Sequence, residues 1–152
     1  MNGGGNLTLN APIDQVWSKL MDPGVLSECI MGCKKLELVG ENKYKAELSV
    51  GIAAVKGKYD ATISLTDLQA PSSYKLVMHG EGGPGFLDAE GILELASAGD
   101  GETTLTYTYT AEVGGKVAAV GQRMLGGVAK LIINDFFKKL KKEIDSYEAG
   151  VV

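Results

Sequence analysis

The sequence is poor in histidine and cysteine, which carry much acid–base and metal chemistry, with one histidine, His79, and two cysteines, Cys29 and Cys33. A zinc site needs several nitrogen and sulfur ligands at characteristic spacings, and a single C-x3-C with one distant imidazole does not supply them. No metal site and no cofactor is therefore expected. The two thiols read as small half-buried side chains, and a disulfide between them is unusual in a reducing compartment. No apolar run approaches the roughly 18 residues needed to span a bilayer. Residues 1–10 lack the basic stretch and apolar core of a secretory signal, so the expected address is the cytoplasm. Positive charge is not in excess either. A net charge of −4 with a pI near 5.0 leaves no surface built to neutralise phosphates, which argues against nucleic acid as a partner.

What is plentiful is glycine, 21 residues in a chain of 152, against an ordinary fraction of about 7%. The glycines fall between alternating apolar runs, which points to turns and kinks in strands. The length suits one domain over residues 1–152, whose folding removes roughly 68% of the unfolded chain's surface from water.

Asn6 to Asn10 alternates as a short strand, with Leu7 and Leu9 on one face. Ala11-Pro12-Ile13-Asp14 then opens a helix carrying Val16, Trp17 and Leu20, with Pro12 near the first helical position. Asp22-Pro23-Gly24 breaks it, and Val25 to Ile30 reads as a second short helix. From Lys34 to Glu112 the period is two, interrupted at Gly40, Gly51, Ala70, Gly82 and Ala98 by turn chemistry. One face of these runs is apolar: Tyr44 to Val50, Tyr59 to Leu65, Tyr74 to Met78, Ala89 to Leu95 and Leu105 to Ala111, taken at every second residue. The other carries Lys, Glu, Asp and Thr. That is an antiparallel meander with one wet and one dry face.

The dry face must be covered, and the segment from Lys116 to about Tyr147 is long enough and has helical periodicity. The expected architecture is α+β: a curved antiparallel sheet of about seven strands wrapping one long C-terminal helix, with two short helices after the first strand. Gly121, Gly126 and Gly127 are out of place in a helix interior, where glycine costs up to about 1 kcal/mol relative to alanine. They either allow close packing on the sheet, leave room for a ligand, or admit a partner.

His79 alternates with Met78 so as to lie on the wet face, and Glu90 and Glu94 share that outward parity. No catalytic residue is assigned. The dry face offers an apolar lining tipped by the Tyr59, Tyr107 and Tyr109 hydroxyls and the Met78 and Met124 thioethers. Such a lining suits a hydrophobic ligand with one or two oxygens, unless these residues simply fill a core. The candidate ligand-contacting set takes Val50, Tyr59, Met78, Phe86, Leu87, Tyr107 and Tyr109 from the strands. Leu26 and Ile30 come from the second short helix, and Val117, Gly121, Met124 and Leu125 from the start of the long one. The lysines at 138, 139, 141 and 142 read as a solvated helix face or as a contact for an acidic partner or anionic headgroups.

Several ordered strings then carry a family likeness: Ala11-Pro12 with Val16-Trp17 and Leu20, Asp22-Pro23 with Leu26, and Cys29-Ile30-Met31-Gly32-Cys33. They continue through Lys56-Gly57-Lys58-Tyr59, Gly80-Glu81-Gly82, Gly85-Phe86 and Val113-Gly114-Gly115-Lys116 to the stretch from Ala119 to Phe137. With these, the chain resembles the CoxG family of carbon monoxide dehydrogenase subunits, within the START-like and polyketide-cyclase-like superfamily, from Asn2 to about Leu140. The resemblance implies the helix-grip fold and a bulky apolar ligand such as a lipid held between sheet and helix, and the tyrosine-tipped apolar face suggests a quinone-like one. It also implies service to a molybdenum hydroxylase of the carbon monoxide dehydrogenase type, in assembly, membrane recruitment or electron-acceptor supply. Some members carry a C-terminal tail past the grip helix. The sequence ends at Val152 without one, so membrane contact is expected to be transient, through Lys138 to Lys142 or the loop from Gly82 to Phe86. Three readings follow: a non-catalytic carrier, a structural adaptor with a filled core, and a cyclase- or hydrolase-like enzyme in the same cavity.

Overall fold

Asp22 and Pro23 start a helix as well as ending one. In the computed structural model, which describes residues 1–151 and the side chains of residues 1–145, the Asp22 carboxylate accepts the Gly24 N–H at 2.8 Å. Pro23 takes the first helical position, where its missing N–H costs nothing. Helix α1 therefore spans Ile13–Leu20 and α2 spans Pro23–Cys29. They bury Val16, Leu20, Val25 and Cys29.

Among the described residues seven strands follow the period-two runs: β1 Asn2–Leu9, β2 Cys33–Gly40, β3 Lys43–Val50, β4 Gly57–Gln69, β5 Ser73–Gly82, β6 Gly85–Ser97 and β7 Thr103–Gly114. They form one curved antiparallel sheet in the order β1-β7-β6-β5-β4-β3-β2. From β2 to β7 each strand pairs with its successor, and the two short helices carry the chain from β1, at one edge, to β2 at the other. Helix α3, Gln122–Val151, lies across the dry face. Short 3-10 turns at Ala53–Val55 and Lys116–Val120 stand at one end of the grip.

The first strand begins four residues earlier than the expected Asn6. Gly3 and Gly5 pair with Tyr109 and Tyr107 on β7. A Cβ on Gly3 would stand 2.6 Å from the Tyr109 hydroxyl, and one on Gly5 2.8 Å from that of Tyr107. Glycine is required at the edge because two tyrosine rings lie over it.

The long helix also begins later than expected. Lys116–Val120 is a 3-10 turn, and Gly121 follows at φ +92, a left-handed conformation that L side chains avoid. Gly121 is therefore a joint between two helical pieces, and the expected helix-interior cost does not apply to it.

The core is concentrated at one end. Leu9, Leu20, Leu105, Leu140 and Ile144 are fully buried, each burial stabilising by about 1.5–3 kcal/mol. Leu65, Tyr74, Leu93 and Leu95 join them from the strands. Thr103, also fully buried, donates its hydroxyl to the Ala11 carbonyl at 2.8 Å and ties β7 to the start of α1.

Candidate ligand-binding site

Burial changes along the inward-facing rows of β4, β6 and β7. On β4, Ala61, Ile63 and Leu65 are buried but Tyr59 is half-buried; on β6, Leu93 and Leu95 are buried but Leu87, Ala89 and Gly91 are half-buried. On β7, Leu105 is buried but Tyr107, Tyr109, Ala111 and Val113 are half-buried. All the less buried residues lie toward one end of the sheet, where the 3-10 turns and the beginning of α3 stand.

Small residues make that end hollow. Across the inner face, Ala46, Ala61 and Gly80 form one transverse row, Ala89 and Ala111 lie beside Met78 in the next, and Gly91 separates Leu76 from Tyr109. Opposite stands α3, in register with the sheet through Phe137, whose ring centroid is 4.8 Å from that of Tyr107. The fifteen residues from Gln122 to Phe136 cover about 22 Å of helix, close to the roughly 20 Å of strand from Tyr107 to Val113. Apart from the helix itself, no heavy atom lies within 4 Å of a Cβ built on Gly126. The glycines of α3 are thus not sites of tight packing on the sheet.

The expected ligand residues divide between faces. Val50, Tyr59, Met78, Leu87, Tyr107 and Tyr109 are half-buried on the inner face, and Val117 and Leu125 are buried on the helix side. Leu26 and Ile30 pack against the core cluster from α2 and its end. Three expectations are corrected. Phe86, 44% exposed, alternates with Leu87 and so lies on the outer face, its ring against Gly114. Met124 is 55% exposed because, one step from the buried Leu125 on a helix, it points away from the sheet. Gly121 is exposed at the joint before α3, with nothing within 4 Å of its Cβ position.

Burial holds the Tyr59 and Tyr107 phenols above their ordinary pKa, so both remain protonated and polar without charge. The Tyr59 hydroxyl donates to the Val55 carbonyl at 2.5 Å. That bond fixes the 3-10 turn at the open end and leaves the oxygen as an acceptor. The tyrosines over Gly3 and Gly5 hold their hydroxyls toward the β1 edge instead of the centre of the hollow. The signal for this was the Gly3-Gly4-Gly5 run, two of whose glycines lie under the tyrosine rings.

Ionisable groups gather on the other face. His79 meets Asp88 at 2.5 Å and Glu81 at 3.5 Å, all three exposed, and these carboxylates raise the imidazole pKa. A shallow groove of about 390 Å³ is lined by His79 and Glu81 together with Lys35, Lys45, Glu47 and Asp60. Among the described residues no cluster of His, Cys, Asp and Glu has the geometry to hold a metal ion. Cys29 is buried and free. Burial first, and then the Glu143 carboxylate, push its thiol up to about 11. Among the described residues no helix is long and apolar enough to cross a membrane.

Known proteins share this architecture. A conserved protein from Geobacillus kaustophilus is 65% identical, with a TM-score of 0.93 over 96% of each chain. A START superfamily protein from Mycobacterium smegmatis, 11% identical, has a TM-score of 0.76 over 96% of this chain and 98% of its own. A protein from Chromobacterium violaceum, 17% identical, has a TM-score of 0.72 over 94% of this chain and 96% of its own. No curated protein matches the sequence. Residues 5–145 match the family of carbon monoxide dehydrogenase subunits described as CoxG. With its START-like helix-grip fold, the chain belongs to the CoxG family of carbon monoxide dehydrogenase subunits.

Proposed function

We propose that the protein is a non-catalytic accessory carrier that encloses a mostly apolar molecule, lipid or quinone-like, between the sheet and the first half of α3, in the service of a carbon monoxide dehydrogenase-type molybdenum hydroxylase. The observation that carries the reading is the hollow end of the grip. Ala89, Gly91 and Ala111 stay half-buried on the inner face, and the space beside Gly126 is open. An adaptor with a filled core needs large side chains at these positions.

The ligand contacts fall to Tyr59, Met78 and Leu87 from the sheet, to Tyr107 and Tyr109 at its β1 edge, and to Val117 and Leu125 from the helix side. Val50, Leu26 and Ile30 shape the wall. The Tyr59 oxygen accepts a hydrogen bond from the ligand or from a water beside it. The carrier reading is preferred to an enzymatic one because His79, Asp88 and Glu90 occupy the outer face, away from anything held in the hollow. The partner hydroxylase is proposed from family membership alone.

Native mass spectrometry of the purified protein, followed by organic extraction, tests the proposal. A stoichiometric apolar molecule is expected. An empty protein that also takes up no added ubiquinone or menaquinone overturns the carrier reading in favour of the adaptor.

A further inference from the structure

The two edges of the sheet differ in charge. Strand β1 carries no charged side chain along its length, whereas β2 holds Lys34, Lys35 and Glu37. Among the described residues no strand pairs with the far side of β2, and Glu37, Leu38, Val39 and Gly40 are all exposed. Leu38 shares the parity of the inner face, where its partner Tyr44 is buried, yet it is 61% exposed because no strand stands beyond it. Open edges are ordinarily blunted by lysine, whose charge repels a second edge. Here the Lys35 ammonium meets the Glu37 carboxylate at 2.8 Å on the same strand, so from Lys35 to Leu38 the edge has no net charge.

We infer that β2 pairs with β2 of a second copy, antiparallel about a two-fold axis through Leu36. That register sets Lys35 of each copy against Glu37 of the other. On the outer face Lys35 already lies opposite Glu47, and Glu37 opposite Lys45. Each row then runs across the joint as Glu47, Lys35, Glu37 and Lys45, the last two from the second copy, with every neighbour opposite in sign. On the inner face Leu36 meets its own copy, and Leu38 is drawn alongside that pair. The ladder of β2 is regular only from Lys35 to Leu38, with irregularities on either side, which limits the other registers. An axis through Lys35 or Glu37 sets like charges face to face, and one through Leu38 runs into the irregularity at Val39 and leaves both charges unmatched.

Strand β1 of another copy is a poor occupant. It offers no charge to Lys35 or Glu37, and a joint between unlike edges propagates into a filament, whereas β2 on β2 closes on itself. The joint is short, so the dimer is expected to exchange readily with monomer. With the axis normal to the sheet, both inner faces lie on one side and the two hollow ends point in opposite directions. The pairing does not depend on the carrier reading.

Sedimentation velocity over a range of protein concentrations tests it. The apparent mass is expected to rise with concentration from 16.0 kDa toward twice that value. Glu37→Lys makes the facing pair wholly cationic and Lys35→Glu makes it wholly anionic. Each variant alone should therefore dimerise roughly tenfold more weakly, or worse. Mixed in equal amounts, the two variants bring opposite charges together at both positions, and a heterodimer is expected to form as readily as the wild-type dimer. Both side chains are more than half exposed, at 55% and 52%, so the melting temperature should change little. Lys58→Glu, on the outer face of β4 away from the edge, makes the same change in net charge as Lys35→Glu and should leave the equilibrium as it is. A monomer at every concentration, a dimer untouched by both edge variants, equal loss in the Lys58 variant, or a mixture that dimerises no better than its components overturns the proposal. Recovery on mixing cannot come from chains that have failed to fold, so that arm separates a broken joint from a broken protein.

Discussion

The two ends of the grip are made from the same strands and the same helix, yet one is a packed core and the other a hollow. At the packed end the inward positions hold Leu65, Tyr74, Leu93, Leu95 and Leu105, met by Leu140 and Ile144 from α3 and by Val16, Leu20 and Cys29 from the short helices. At the hollow end the corresponding positions hold Ala89, Gly91 and Ala111, and α3 offers Gly126. Side-chain volume at a few inward positions accounts for the difference, since backbone pairing runs unbroken across β5, β6 and β7. Protein interiors otherwise pack to crystal density, so an open apolar region lined by small residues leaves contacts unmade that an apolar occupant would supply. Stability is therefore concentrated at one end, and the capacity to accept a ligand at the other.

The sharpest way to break this comparison is to truncate equivalent leucines at both ends. Leu140→Ala, at a fully buried position, is expected to cost about 2–5 kcal/mol in urea denaturation. Leu87→Ala, half-buried at the hollow end, is expected to cost less than about 2 kcal/mol, because little packing is lost beside a space already open. Equal costs would mean that the hollow end is packed after all. A second contrast concerns glycine. Gly121→Ala places a side chain at φ +92 and should destabilise by about 1–2 kcal/mol. Gly126→Leu replaces a helix-interior glycine and should stabilise by up to about 1 kcal/mol while filling the hollow and lowering the extracted ligand several-fold. Stability and ligand content moving in opposite directions in the Gly126 variant is the pattern that a merely structural glycine would not give.

Thiol reactivity sharpens the same divide. Cys29 sits fully buried in the packed end with its thiol pushed up to about 11, whereas Cys33, at the start of β2, is half-buried. The thiolate is the nucleophile, so iodoacetamide should alkylate Cys33 in the folded protein and spare Cys29 until urea unfolds it. Peptide mapping of the modified protein reads the result. Alkylation of both cysteines at similar rates without urea would show that α2 opens easily from the core.

Most of the packed end was legible in the sequence and most of the hollow end was not, for a physical reason. Strict alternation with large apolar residues announces a dry face, and Tyr44, Ile63, Leu93 and Leu105 all lie where their parity puts them. A hollow is announced by what is small, and Ala89, Gly91 and Ala111 obey the same parity without revealing that nothing fills the space before them. Periodicity also could not separate Phe86 from Leu87 beside a turn, nor tell that the helical pattern from Lys116 is interrupted at Gly121. The Gly3-Gly4-Gly5 run needed its partner strand to be understood, since the tyrosines over it are about a hundred residues away in the chain.

The smallest expected effect lies on the outer face. His79 hydrogen-bonds to Asp88 and more weakly to Glu81, and these contacts raise its pKa in the folded state above the ordinary value of about 6.5. A raised folded-state pKa means that the protonated imidazole stabilises the fold. That contribution is complete below about pH 6.5, the unfolded value, and fades as pH rises through the folded-state pKa. The protein has a single histidine, so one imidazole resonance in a proton NMR titration reports the folded value directly, and Asp88→Asn should bring it back toward the ordinary one. The difference in urea midpoint between wild type and His79→Gln should decline above pH 6.5, and only slightly, because the group is solvent-exposed and screened. Asp88 stands between Leu87 and Ala89, so its side chain is one sheet thickness from the hollow. Titrating His79 should therefore leave the extracted ligand unchanged. A ligand content that followed the imidazole would show that the charge on the outer face reaches the hollow, and that the two faces of the sheet are coupled.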